Sequence, residues 1–214
     1  KNGQIILHQG ATDIGQGSNT VITQIVADAI QTDINSIELI GPDTDLTPDA
    51  GKTSASRQTF ISGGAASLAG KALREKILRH ANVGENARIK SGPTGLYIED
   101  SKRYHQVDLC HLPLDEFGYV LSVQESYDPV TTPLDENGQG DPYALYGYGV
   151  QIAELTVDTE LGTVIIDRIT AAHDVGKAVN PTLVEGQIEG GIAQGIGLAL
   201  MEEYQPGVTN NLHD

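Results

Sequence analysis

An α+β fold is predicted by three features of the 214-residue sequence. Two long stretches carry apolar residues at helical spacing, short alternating runs lie between them in meander-like succession, and a clear hairpin pattern precedes a third helical stretch. No internal repeat and no low-complexity tail argues for a different architecture. The succession favours α+β over a regular parallel βαβ array.

The elements follow in order. Residues 4–8 alternate weakly and read as a short strand, followed by the glycine-rich run Gly10-Ala11-Thr12-Asp13-Ile14-Gly15-Gln16-Gly17. Val21, Ile22, Ile25, Val26, Ala29 and Ile30 then share one helical face, with Ser18 or Asn19 expected as the cap. Ile37–Ile40 reads as a strand stopped by Gly41-Pro42, and residues 43–55 as a polar loop. A long helix is expected from about Arg57, with Phe60, Ile61, Ala65, Leu68, Ala69, Ala72, Leu73 and Ile77 on its apolar face. Its small residues, Ser62 to Ala66, weaken its helix propensity, so close packing must favour it. Ala87–Lys90, Leu96–Glu99 and Tyr119–Glu125 read as short strands, and Asp128 to Tyr143 as a long loop. Val150–Asp158 and Thr163–Ala171 form the hairpin. Asn180-Pro181 then opens a helix running towards Tyr204, with Asn180 as cap and Pro181 at its first position. Glycines 186, 190, 191, 195 and 197 would each cost this helix about 1 kcal/mol against alanine. The expected reason for them is close approach of another backbone or of a large ligand.

Composition excludes several classes. With 13 basic and 29 acidic residues the net charge is −16, which argues against nucleic-acid and anionic-membrane binding. Cys110 is the single cysteine, so an internal disulfide framework and Cys-rich zinc or iron–sulfur sites are excluded. Glu185 and Glu189 interrupt the C-terminal apolar stretch, which argues against a membrane span. The opening Lys1-Asn2-Gly3 lacks an initiator Met and a signal-peptide pattern, so a piece of a longer, cytoplasmic protein is expected.

Several motifs fail on inspection. Gly15-Gln16-Gly17 has Thr20 where a dinucleotide fingerprint needs its third glycine. Gly51-Lys52-Thr53 imitates a P-loop, but Leu46 stands where the first glycine belongs. Asp43, Asp45 and Asp49 do not match an EF-hand, and Asp135, Asn137 and Asp141 read as a solvated turn. His105, Cys110 and His111 lack a fourth partner at zinc spacing, so no metal ligand is assigned. His173-Asp174 has no accompanying serine elbow. Three features remain. The first glycine run could turn backbone N–H groups onto an anion at a helix N-terminus, against the plainer reading of a strand–helix turn. Thr53, Ser54, Ser56 and Gln58 cluster hydroxyl and amide donors at a loop–helix junction, where capping is the plain alternative. Gln187 places a neutral amide on the glycine-rich helix, where it could reach a buried ligand or lie on a solvated face.

Together, in this order, the blocks resemble the molybdenum hydroxylase family of xanthine dehydrogenases and aldehyde oxidoreductases. Gly10–Gly17 is similar to the family's first cofactor loop, Thr53-Ser54-Ala55-Ser56-Arg57-Gln58 to its second, and Asn180-Pro181 through Glu185-Gly186-Gln187-Ile188-Glu189-Gly190, then Gln194-Gly195-Ile196-Gly197, to its third. Pro142-Tyr143-Ala144-Leu145-Tyr146-Gly147 also fits. The resemblance implies an α+β molybdenum-cofactor-binding domain with mixed or antiparallel sheets and long packed helices. It implies that residues 1–214 form the second molybdopterin-binding domain, read as two α+β subdomains of about 1–90 and 91–214. Gly15 and Gln16 would lie near the metal's oxo or sulfido ligands. Thr53, Ala55, Ser56, Arg57 and Gln58 would hold the pterin and phosphate region, and Gln187 would approach the molybdenum end. The Ser-Arg-Gln form of the second block resembles members using the cytosine dinucleotide form of the cofactor. The family hydroxylates a heterocycle or aldehyde with oxygen from water, passing electrons to iron–sulfur clusters and FAD on other domains or subunits. Its catalytic glutamate lies in a Gly-Glu motif beyond the third block. No matching motif is found here, so no catalytic residue is assigned to this chain and the isolated chain is expected to be inactive. Expected partners are the N-terminal half of the molybdenum subunit and the iron–sulfur and flavin parts, with homodimerisation also open. The alternative is a standalone cofactor carrier or subunit-assembly module.

Overall fold

The computed structural model describes residues 3–54, 56–92, 95–101, 103–109 and 111–210. Packing divides the chain into two units, Lys1–Ala144 and Leu145–Asp214. The first begins with β1 (Ile5–His8), α1 (Ser18–Ile30) and β2 (Ile37–Ile40). β1 and β2 pair in parallel, with Ile5 opposite Ile37 and His8 opposite Ile40. This is a single βαβ unit, an element the meander-like reading did not foresee. Parallel strands need a crossover, and α1 supplies it. The topology brings the carboxyl ends of β1 and β2 side by side, so the two loops that follow them rise from the same edge.

α2 (Gly63–Ala81) follows a wide π-turn at Gln58–Ser62. Its small residues do the work expected of them, letting α2 approach α1 closely. A Cβ on Gly70 would lie 2.6 Å from the Ala29 Cβ, and one on Gly63 would lie 2.7 Å from the Ile25 Cδ1. β3 (Arg88–Gly92), β4 (Gly95–Asp100) and β5 (Arg103–Gln106) form an antiparallel sheet in that order. The core joins the helices to this sheet: Ile22, Ile30, Ile89 and Ile98 are its largest fully buried side chains. Burial of each contributes about 1.5–3 kcal/mol. The shared core explains why the division falls at 144, well past the boundary expected near 90. Ile89, Leu96 and Ile98 belong to the same cluster as Ile22 and Ile30.

Arg74 ties this unit together. It is only 8% exposed. Its guanidinium donates to the carbonyls of Ile30 (2.9 Å), Glu85 (2.6 Å) and Ala87 (2.7 Å), linking the end of α1 to the turn before β3. The strand expected at 119–125 is not formed. Ser122 instead lies along α2, where its carbonyl accepts from Lys76 Nζ at 2.8 Å.

The second unit contains β6 (Tyr148–Asp158), β7 (Thr163–Asp174) and α3 (Pro181–Leu200). β6 and β7 form the expected hairpin, longer by a few residues at its open end. Its register shifts between Glu154 and Leu155, leaving Asp167 as the extra residue on β7. Asn180 caps α3 as expected, its side chain accepting from the Leu183 N–H at 3.1 Å. None of the described residues in this unit is buried. Tyr148, Val150 and Ile152 are 70%, 64% and 56% exposed. Among the described residues no helix is long and apolar enough to cross a membrane.

Candidate functional site

The glycine run leaves the carboxyl end of β1 and enters α1, while the 41–57 loop leaves the adjacent end of β2. Four contacts join them. The Gln9 N–H donates to the Ile40 carbonyl at 3.2 Å. His8 Nδ1–H donates to the Leu46 carbonyl at 2.9 Å, which leaves Nε2 to accept from the Tyr119 hydroxyl at 2.6 Å. Gly10 meets the second loop edge-on: a Cβ there would lie 1.9 Å from the Pro48 carbonyl oxygen, so only glycine fits. The Thr53 hydroxyl donates to the Thr12 carbonyl at 2.8 Å. Residues 41 positions apart in sequence thereby become neighbours.

The N–H groups that the glycines were expected to turn onto an anion meet an internal one. Asp13 occupies that place. Its carboxylate accepts from the N–H groups of Gly15 (2.9 Å), Gly17 (3.3 Å) and Asn19 (3.0 Å). Asn19 lies in the first turn of α1, so an internal negative charge already satisfies the helix N-terminus. The Asn19 N–H acts most strongly on the carboxyl, partial burial opposes it, and Gly15 and Gly17 add to it. The Asp13 pKa therefore lies below its ordinary value. Neither Ser18 nor Asn19 is the cap. Gly17 occupies the cap position with φ 80°, and the Ser18 hydroxyl has no hydrogen-bond partner among the described residues. The sequence signal for this arrangement was Asp followed at two and four positions by glycine, the pattern of an Asx turn.

Gln16 sits at the tip of this loop. Its Oε1 accepts from the Ile14 N–H at 2.7 Å, which orients the amide. Its Nε2 is buried and has no partner among the described residues. A buried amide donor without an acceptor costs roughly 1–3 kcal/mol unless something outside the described residues satisfies it.

The second loop divides by role. Gln58 is buried and held at both ends of its amide: Nε2 donates to Thr53 Oγ1 at 3.0 Å, and Oε1 accepts from the Ser62 hydroxyl at 2.7 Å. Thr53 and Gln58 thus stitch the two loops and the π-turn together, instead of offering the free donors the sequence suggested. Ser56 is exposed in a left-handed conformation, φ 50°. Arg57 Nη2 donates to the Lys52 carbonyl at 2.8 Å, leaving further guanidinium donors beyond that bond. Ala55 lies outside the described residues.

Gln187 lies on α3 in the second unit and is exposed. At 100° per residue, Gly186, Gly190, Ala193 and Gly197 form a small-residue stripe, with Gln187 and Gln194 along one side of it. A Cβ on Gly186, Gly190, Gly191 or Gly195 would meet nothing within 4 Å among the described residues. Within the second unit, the described residues make no close approach at these four glycines.

The two acidic candidate clusters are turns, and Cys110 lies outside the described residues. Asp135 accepts from the Asn137 and Gln139 N–H groups, and Asp43 from those of Asp45 and Leu46. Among the described residues, no group of three or more His, Cys, Asp or Glu side chains could hold a metal ion. Neutral amide and hydroxyl donors of this kind suit a metal that arrives on a carrier with its own ligands. The oriented, unsatisfied Gln16 donor beside a stitched second loop fits such a group.

Comparison with known proteins gives the same picture. Residues 1–213 match the family model described as a molybdopterin cofactor-binding domain. The chain is 34% identical over 226 residues to the xanthine dehydrogenase molybdenum-binding subunit of Escherichia coli O157:H7, covering 99% of this chain and 28% of that protein. Aldehyde oxidoreductase from Desulfovibrio gigas superposes with a TM-score of 0.68 at 27% identity, over 94% of this chain and 20% of that one. Quinoline 2-oxidoreductase from Pseudomonas putida superposes with a TM-score of 0.72 at 24% identity, over 100% of this chain and 28% of that one, a likeness of fold. The chain thus spans about a quarter of the length of these relatives. With the model match running nearly end to end and the paired loops in place, the chain belongs to the molybdopterin cofactor-binding domain family of the molybdenum hydroxylases.

Proposed function

We propose that this chain is the second cofactor-binding domain of a molybdenum hydroxylase of xanthine dehydrogenase or aldehyde oxidoreductase type. The observation that carries the proposal is the buried, oriented and unsatisfied Gln16 Nε2, on a loop hydrogen-bonded to the second cofactor loop. Gln16 would donate to an acceptor atom at the metal end of the cofactor. Ser56, Arg57 and the backbone around Ala55 would hold its pterin and phosphate portion. Thr53 and Gln58 would keep the two loops at the required separation. Gln187 would approach from α3, the open glycine stripe accommodating a close neighbour. Neutral amides suit a metal whose ligands come from its own carrier: they orient the group without adding charge or displacing a ligand.

When bound, the molybdenum–molybdopterin group supplies the two-electron chemistry that hydroxylates an electron-poor carbon of a heterocycle or aldehyde with oxygen from water. Arg57 and Lys52 favour an anionic dinucleotide end, in keeping with the cytosine dinucleotide form. The exposed apolar side chains of the hairpin support a partner that covers them, which we take to be the N-terminal half of the molybdenum subunit. Iron–sulfur clusters and FAD would reside on other domains or subunits, in a cytoplasmic enzyme. The base would be contributed from outside these 214 residues, so the chain alone would not turn over.

The test is metal and pterin analysis after co-expression with the remainder of the subunit. Stoichiometric molybdenum in the assembled protein, with none retained by the chain alone, is the expected result. Tight cofactor binding by the chain alone would favour the carrier alternative, and substrate hydroxylation by it would refute the assignment.

A further inference from the structure

The geometry points to Asp13 as the positioning residue of the cofactor loop: its carboxylate gathers the N–H groups of Gly15, Gly17 and Asn19, and so holds Gln16 with its amide donor directed at the cofactor. The inference rests on the proposed function and goes beyond it, because Asp13 would act through Gln16 and not on the cofactor itself.

Three features argue for it. The three hydrogen bonds come from both sides of Gln16, so one side chain closes the loop around that position. The Gln16 amide is secured through its oxygen by the Ile14 N–H, inside the same closed turn, leaving Nε2 as the free end. The carboxylate also fills the positive end of α1 and places negative charge on the loop, which repels a phosphate there. The anionic end of the ligand is therefore directed to the second loop, where Lys52 and Arg57 lie, and the acceptor presented to Gln16 belongs to the metal end. Asp13 thus sets both the aim of one donor and the polarity with which the cofactor enters.

A double-mutant cycle in the assembled molybdenum subunit tests this, read as the rate of cofactor loss on warming and as kcat and KM. Gln16→Ala removes one neutral hydrogen bond and should speed cofactor loss about tenfold. Asp13→Ala should do the same, and the double variant should be no faster than either alone, because Asp13 acts through Gln16. Asp13→Asn keeps one acceptor oxygen and should restore part of the retention, and it also serves if Asp13→Ala fails to fold. Asp28→Gly loosens the exposed side of α1 away from the loop and should leave cofactor loss unchanged. Multiplying effects in the double variant, or an Asp28→Gly effect equal to that of Asp13→Ala, would show a merely structural role and overturn the inference. An unchanged rate in Gln16→Ala would sink the cofactor assignment of the loop, and the positioning role with it.

Discussion

Replacing Arg74 with methionine isolates the contribution of one buried cation to the fold that carries the site. Arg74 makes three charge-assisted hydrogen bonds, to Ile30, Glu85 and Ala87, at 2.6–2.9 Å. No carboxylate lies within bonding distance among the described residues. Burial is the larger influence on its pKa and lowers it, while Glu85 acts electrostatically in the opposite sense. Methionine fills most of the volume but leaves three carbonyls without their donor. Each such bond is worth about 1.5–3 kcal/mol. Part of that is offset because the guanidinium no longer has to be desolvated, a cost of several kcal/mol. The expected net loss is about 3 kcal/mol. Urea unfolding followed by far-ultraviolet circular dichroism measures it, since the chain has no tryptophan. The midpoint should fall with the slope unchanged. Arg74→Lys can reach one or two of the carbonyls and should recover less than half of the loss. A loss below about 0.5 kcal/mol in Arg74→Met would refute the clamp.

Gly10→Ala forces a Cβ to within 1.9 Å of the Pro48 carbonyl oxygen. It should destabilise the first unit by about 2–3 kcal/mol and speed proteolysis of the 42–51 loop, measured by limited digestion. Asp13 has a depressed folded-state pKa, so the stability it contributes is full above the unfolded carboxylate pKa. That stability is lost as pH falls through the lower folded value. Urea midpoints measured on descent through and below the ordinary carboxylate range should therefore fall more steeply in the native chain than in Asp13→Asn. Gly190→Ala adds about 1 kcal/mol of helix propensity to α3 and meets no neighbour among the described residues of its unit, so the isolated chain should tolerate it. If the stripe receives another backbone or the cofactor, the same substitution should reduce molybdenum content in the assembled subunit. Equal content in both would show that the glycines serve no close approach.

Local signals made much of this chain legible. The 3.6-residue spacing of Ile22, Val26 and Ile30, the Asn180-Pro181 start of α3 and the β6–β7 alternation each reappear with ends shifted by a few residues. They are legible because capping, φ restriction and periodic burial act within a few residues. Tyr119–Glu125 alternates like a strand but has no ladder to join, and strand formation requires a partner that periodicity cannot supply. Thr53 and Gln58 show a similar limit. Donor groups were visible in the sequence, but the internal acceptors that take them are set by the fold. Asp13 stood inside the first block without being singled out, because its importance comes from the turn that brings three N–H groups onto it.

By itself the sequence determined the residue types at the site, the order of the three blocks, the helical and strand segments, and the family they resemble. Only the tertiary structure decided that β1 and β2 run in parallel, so that the loops following them rise together and Thr12 meets Thr53. It alone decided that the Asp13 carboxylate sits on the N-terminus of α1 and leaves the Gln16 Nε2 without a partner among the described residues. The physical reason is that residue chemistry is local, whereas the availability of a donor depends on which distant groups the chain topology has already placed beside it.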